Sequence, residues 1–370
     1  LQHDLIIVGA GIIGLAHALA AVKRGLPVLV VDRDHQANGA SVRNFGFVTV
    51  TGQQRGAVWQ LARRSAAIWR EIAPQAGIAL EQQGLLLVAQ RAEAADVIEA
   101  FAGTEMGDGC ERLTAAQARQ LCPMLAGDVR SALLSHADLR VESRTAIPRL
   151  AGWLERERQV TFRRGVAASR IEPGAVLLSD GTLVRAPQII ACPGDDWASL
   201  FPQDYRDAAI TRCQLQMLRL APPGWRLPAP VMSDLSLIRY AGYADLAEAA
   251  PLRRRLDIEA REELEHGIHL IVVQSADGSL VVGDSHSYAP TPEPFASAAV
   301  DEAILRQYRA LFGAAPAVTH RWTGSYASGP AHSIIRNPLP GVHLVVVTSG
   351  TGASTGFALA EDVMDRVMAG

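Results

Sequence analysis

The chain has 370 residues, 49% hydrophobic and 20% charged, with a formal net charge of -3. That is an ordinary globular balance, with room for two domains or one large α/β unit carrying an inserted lobe, and it leaves no basic footprint for nucleic acid. Cys110, Cys122, Cys192 and Cys213 form neither a C-x-x-C pair nor a metal-ligand cluster, which points to reduced thiols in a cytoplasmic protein and to no bound metal.

Residues 5–22, LIIVGAGIIGLAHALAAV, are apolar enough to imitate a membrane span. No basic stretch precedes them and no small-residue cleavage site follows, so neither a signal peptide nor a transmembrane helix is expected. Instead DLIIVGAG reads as a buried strand ending in a tight turn, IIGLAHALAAVKRG as a helix closed by Gly25, and PVLVVDRD as a second buried strand with Asp32 at its end. This β-α-β unit implies a parallel sheet. Lys23, the only lysine, lies inside it, which excludes Schiff-base chemistry.

A Gly- and Asn-rich loop, HQANGASVRNFGFV, comes next, then an amphipathic helix from about Gln53 to Ala73. GLLLVAQ predicts a strand, AEAADVIEAFAG a helix, and TAAQARQLCP a short helix stopped by Pro123. Residues 160–192 read as a strand series with a hairpin at Asp180-Gly181 and a buried last strand, QIIAC. CQLQMLRL alternates as a half-exposed antiparallel strand does, and GIHLIVVQSADGSLVVGDSHSY predicts a hairpin around Asp277-Gly278. Residues 295–312 are expected to be helical. WTGSYASGP, residues 322–330, reads locally as an aromatic turn. VHLVVVTS then gives a strand, TSGTGASTG a glycine turn and TGFALAEDVMDRVM a final helix.

Gly9-x-Gly11-x-x-Gly14 follows a strand and opens a helix. The first glycine permits the turn, the second lets a pyrophosphate approach the backbone, and the third lets helix and strand pack closely; the helix N-terminus faces the phosphate charge. Asp32, about twenty residues on, stands where an acid binds ribose hydroxyls and argues against a 2′-phosphate. The motif alone leaves FAD and NAD open. Its place at the start of the chain favours FAD, as does the return of the same texture at the end. The flavin end needs a second contact surface, and TSGTGASTG before a helix supplies donors for the edge of a reduced flavin. The expected fold is therefore α/β: a Rossmann-like FAD-binding domain of residues 1–78, 137–212 and 320–370. An antiparallel-sheet substrate domain of residues 79–136 and 213–319 is interleaved with it, with a ligand at the junction.

Five pieces in order, IIVGAGIIGLAHALA…VDRD, GASVRNFGF, VTFRRGVAAS, IIACPGDDW and TSGTGASTGFALAED, resemble the FAD-dependent amine and amino-acid oxidases. That family includes glycine oxidase, sarcosine oxidase and D-amino acid oxidase. The resemblance implies non-covalent FAD. Gly9, Gly11, Ile12, Gly14, Asp32 and Arg33 would lie on its ADP half, and Ser41 and Asn44 near the pyrophosphate and flavin. Val166 would meet the adenine, and Ala191 to Gly194 would form the turn beneath the cofactor. Gly350, Thr351, Gly352, Ala353 and Ser354 would face the flavin pyrimidine.

Members that oxidise amino acids commonly carry Gly-x-Arg-Pro before the last strand, where the arginine grips the substrate carboxylate. This chain has Gly324-Ser325-Tyr326-Ala327 there, and a phenol cannot replace a guanidinium. Three readings stay open: another arginine, Arg43 or Arg336, holds the carboxylate; the substrate bears a different anion; or it bears none. The pattern RNFG…GDSHSY…YASGP…TSGTGAST resembles a subgroup associated with aminophosphonates related to 2-aminoethylphosphonate. It implies an anion met by Arg43, His286, Tyr288, Tyr326 and Arg336, with His332 a weaker candidate. The implied reaction is hydride transfer from the amine-bearing carbon to flavin, with O2 giving H2O2. The alternatives are a glycine, sarcosine or D-amino acid oxidase, an NAD-dependent dehydrogenase, and a non-catalytic flavin-binding subunit.

Overall fold

The structure, a computed structural model, describes residues 3–369. β1 (Leu5–Val8) is buried at every position and pairs in parallel on both sides, with β2 (Val28–Asp32) and with Gln188–Ala191. A strand enclosed on both faces needs a continuous apolar run, and LIIV provides one. The parallel set is completed by Thr161–Arg164 beside β2 and Val342–Ser349 beside Gln188–Ala191. α1 (Ile12–Lys23) crosses between β1 and β2. It packs with Gly352–Ala369, which in turn packs on Ala57–Gln75. Trp69 anchors that contact, fully buried with its ring 4.9 Å edge-on to Phe357; truncating such a side chain to alanine costs about 3–5 kcal/mol.

The same sheet continues into an antiparallel half built from Leu80–Ala89, Ser131–Val141, Thr211–Leu220, Ile271–Gln274 and Leu280–Gly283. The join is one strand of 22 residues, Val318–Leu339. Its first part pairs with Thr211–Leu220 and its second with Val342–Ser349. The pairing changes over at Ser328, which faces Thr211 on one side and Ser349 on the other, and the register shifts before Ser333.

WTGSYASGP is thus strand and not turn. Gly324 is there for space: a Cβ would stand 2.9 Å from the Arg43 carbonyl oxygen. Pro330 falls in the register shift, where no ladder hydrogen bond is needed. Thr211–Leu220 is more enclosed than its alternation predicts, with every residue from Leu215 to Leu220 buried. It is an inner strand, flanked on both sides. The expected boundaries at 136/137, 212/213 and 319/320 fall inside the strands Ser131–Val141, Thr211–Leu220 and Val318–Leu339. Among the described residues no helix is long and apolar enough to cross a membrane.

Candidate active site

A cavity of about 780 Å³ runs from the β1–α1 turn to the junction of the two halves. At one end, Gly9 has φ 105°, and a Cβ there would meet the Cys192 carbonyl oxygen at 2.5 Å. A Cβ on Gly14 would strike the Gly9 carbonyl oxygen. Ser41 Oγ accepts from Ile12 N–H at 2.9 Å, bringing the 39–46 loop onto the helix N-terminus. Asp32 accepts from Ala10 N–H at 2.5 Å and from Asp34 N–H at 2.8 Å, which fixes its carboxylate at the cavity wall. Arg33, at 61% exposure, pairs with Asp196 at 2.8 Å on the rim. Asn44 braces its own loop, donating to Ala40 O and accepting from Gly46 N–H, both at 2.6 Å.

Val166 and Ala191 lie just off the cavity lining. The Val166 N–H already donates to the Asp32 carbonyl at 3.2 Å, and Ala167 and Ala168 line the cavity in its place. Ala191 is fully buried at its strand end, while Cys192, Pro193 and Gly194 reach the cavity surface.

Gly350 to Ser354 form the far wall. Gly350 has φ 73°, and a Cβ there would come within 2.9 Å of the Tyr326 ring, so the glycine turn and the phenol are packed against each other. Ser354 Oγ accepts from Thr49 N–H at 2.9 Å, and Trp69 Nε1 donates to Ala353 O at 2.9 Å. His332 lies 3.1 Å from Thr355 Oγ1 and 3.3 Å from Thr351 Oγ1, holding the start of the last helix. Ser354 and Thr355 N–H already donate to Thr351 O at 3.0 Å, which leaves the amides of Gly352 and Ala353, two residues of the cavity lining, without an intrahelical partner.

Near the junction the site becomes polar. Trp322 Nε1 donates to Arg43 O at 3.2 Å, and Arg43 itself donates to Asn38 Oδ1 at 3.2 Å and Thr323 O at 3.5 Å. Arg43 is therefore fastened to the strand that carries Tyr326. Arg336 is not part of the site. It is exposed opposite Leu344, past the register shift, and the cavity wall on that strand stops at His332.

A cation that the sequence pattern did not single out, Arg239, closes the turn Asp234–Ile238 and lines the cavity. Its Nη2 donates to Tyr288 Oη at 3.2 Å, and Tyr326 lies within its electrostatic reach. Among the described residues it has no carboxylate partner at ion-pair distance, although Asp284 is near enough to act on its charge. Burial raises the phenols of Tyr326 and Tyr288, so both stay protonated. The only sequence signal for Arg239 in LIRYAGY is a lone arginine among apolar and aromatic residues.

Deeper in, His269, Asp284 and His286 cluster, all buried. His269 Nε2 is 3.3 Å and His286 Nε2 3.7 Å from the Asp284 carboxylate. The two imidazoles stack at 5.3 Å. Burial, then the Arg239 charge, drives both well below the ordinary histidine value, so they are neutral at pH 7. His286 Nδ1 lies 2.9 Å from the Gly267 carbonyl, which can only accept, so Nδ1 carries the proton and Nε2 is bare. His286 is therefore an acceptor inside the cavity, the reverse of the anion donor its sequence context implies. His269 was not singled out by the sequence pattern.

Crowded glycines, a fixed acid and two helix N-termini along one cavity suit a dinucleotide cofactor. The family described as DAO, FAD dependent oxidoreductase, matches residues 4–366, and the chain belongs to it. It is an FAD-dependent oxidoreductase of the α/β FAD-binding fold. Among solved structures it is similar to glycine oxidase from Bacillus cereus ATCC 14579, at TM-score 0.80 and 17% identity over 100% of this chain and 95% of that one. It is also similar to iminodiacetate oxidase from Chelativorans sp. BNC1, at 0.74 and 19% over 99% and 95%. A third is the dithionite-reduced L-alpha-glycerophosphate oxidase from Mycoplasma pneumoniae with FAD bound, at 0.75 and 16% over 100% and 95%. A search of curated proteins finds no match to this sequence.

Proposed function

We propose that the protein is an oxidase of small primary amines bearing an anionic group, with an aminophosphonate related to 2-aminoethylphosphonate as best-fitting substrate. The observation that carries this reading is Arg239: a guanidinium facing the cavity, without a carboxylate partner among the described residues, beside two protonated phenols. A desolvated cation without a counter-ion is costly unless a ligand supplies one. The phenols of Tyr288 and Tyr326 add donors in other directions, which suits an anion with three oxygens. Arg43 adds a second positive charge on the cavity wall.

The β1–α1 turn, Asp32, Ser41 and the 350–354 turn would hold FAD, which would supply a hydride acceptor for the carbon bearing the amine, with O2 as the final acceptor and H2O2 as product. The chain's own task is to hold the anion, orient the adjacent carbon and keep water out. In the same reading the parallel half serves the cofactor and the antiparallel half the substrate.

The test is an anaerobic panel of amines, amino acids and aminophosphonates added to the FAD-loaded protein, read by loss of flavin absorbance. Bleaching by 2-aminoethylphosphonate at lower concentration than by glycine or a D-amino acid is expected. Preference for a carboxylate would replace the substrate assignment, and no bleaching by any amine would leave a non-catalytic flavoprotein.

A further inference from the structure

We propose that His269, Asp284 and His286 form a cradle for the substrate ammonium, in which Asp284 takes one of its protons. This rests on the amine-oxidase reading above and assigns the opposite pole of the same substrate.

The geometry begins with an electrostatic conflict. The bare Nε2 of His286 faces the Asp284 carboxylate at 3.7 Å. Both groups are acceptors, and neither faces bulk water. Asp284, only 5% exposed, has one carboxylate oxygen with no hydrogen-bond partner among the described residues. An unpartnered buried carboxylate oxygen is uncommon and calls for a ligand. His269 brings a third nitrogen: its Nδ1 pairs with Ser236 Oγ at 3.3 Å, and in the tautomer that protonates Nδ1 its Nε2, 3.3 Å from Asp284 Oδ1, is an acceptor as well. The three ligand atoms lie within 4.8 Å of one another and open to the cavity. A primary ammonium has three N–H donors, one for each acceptor.

A divalent metal fits the spacing too, but the surroundings favour the ammonium. Arg239 places a full positive charge beside the cluster, felt by all three members. That repels a double charge more than a single one. An ammonium also arrives joined to the anion that Arg239 holds, so a zwitterion satisfies both poles at once.

The proton step balances simply. One N–H bond of the ammonium breaks and one O–H bond forms on Asp284, leaving the nitrogen lone pair free. Burial raises Asp284 to about 7 even though Arg239 pulls it down, which suits a base working near neutrality. The other groups facing it are His269, His286, Tyr240 and Cys213. Burial keeps both imidazoles unprotonated and the phenol and thiol protonated near neutrality.

The experiment uses two probes that cannot react: tert-butylamine for the cation pole and ethylphosphonate for the anion pole, each titrated into FAD-loaded wild type and Asp284→Asn by calorimetry. Asp284→Asn should weaken tert-butylamine by about 30-fold or more, with ethylphosphonate changed by less than about twofold. If that variant does not hold FAD, the wild type serves: tert-butylamine affinity should fall as pH drops through about 7, where Asp284 takes up a proton. Wild type that binds the amine through Asp284 but ignores ethylphosphonate keeps the cradle and removes the phosphonate assignment. Amine affinity indifferent to both Asp284→Asn and pH overturns the cradle, as does no amine binding by wild type. One equivalent of metal by elemental analysis, absent from Asp284→Asn, overturns it in favour of a metal centre.

Discussion

Arg239→Met removes the guanidinium while keeping an unbranched stem of similar reach. Arg239 has a single side-chain bond, to Tyr288 Oη at 3.2 Å, and no ion pair among the described residues. With ligand absent, its loss forfeits little and relieves a desolvated charge, so the melting temperature should hold or rise slightly. With an anionic ligand bound, losing one member of a desolvated charge pair costs about 2–5 kcal/mol. The guanidinium is partly accessible from the cavity, which places the effect at the lower end, about 30- to 100-fold in Kd at ~1.4 kcal/mol per tenfold. The assay is anaerobic titration of the FAD-loaded variant with 2-aminoethylphosphonate and with propylamine, which lacks the anion, alongside FAD content from absorbance. Propylamine should bind both proteins alike. The reasoning fails if both ligands weaken equally, if FAD content falls with ligand affinity, or if the anionic ligand is indifferent to the substitution.

Tyr326→Phe and Arg43→Ala should each raise the apparent substrate constant, by less than Arg239→Met, without lowering FAD content; equal FAD loss in both would assign them to the cofactor instead. Gly350→Ala meets positive φ and the Tyr326 ring at 2.9 Å, so destabilisation of about 1 kcal/mol or more and weakened FAD retention are expected, read by thermal melting and by FAD released on dilution. Gly14→Ala would drive a methyl into the Gly9 carbonyl, and the protein should be isolated without FAD; a flavin-replete variant would contradict the assigned packing. Asp284 has a folded pKa of about 7, above its unfolded value. Its contribution to stability is thus present below the unfolded value and lost as pH rises through about 7. Ligand-free Asp284→Asn should therefore melt higher than wild type at pH 8, by on the order of 4 kcal/mol of stability. The gap should close as pH falls toward 4, and a gap independent of pH would refute the assignment.

The cofactor end was legible because its information is local. Glycine spacing, a buried apolar run and a terminal acid lie within residues 5–32, and each acts on neighbours a few residues away. The long strand was misread because Gly324 and Pro330 carry turn chemistry in isolation. Only the Arg43 carbonyl pressing on Gly324 explains the glycine, and Arg43 is remote in sequence. Arg239 escaped notice for the same reason: its neighbours in the cavity, Tyr288 and Tyr326, are brought to it by two strands remote in sequence. Arg336 attracted attention because it follows the right motif, but four residues of irregular pairing carry it past the cavity. For His286 the position was readable and the polarity was not, since its direction depends on the Gly267 carbonyl.

The 22-residue strand that belongs to both halves acts as a ruler. Tyr326, assigned to the substrate end in the proposed function, and His332, which bonds the Thr351 and Thr355 hydroxyls, are graduations on one continuous backbone. The distance between anion and cofactor is therefore set by counting residues, and no hinge on this strand can stretch it. Deleting one residue between them would turn Tyr326 to the opposite face and not merely shorten the gap. Ser287–Ala289, whose central Tyr288 lines the cavity, is paired to Arg212–Gln214 of the same sheet and so is held to the same scale.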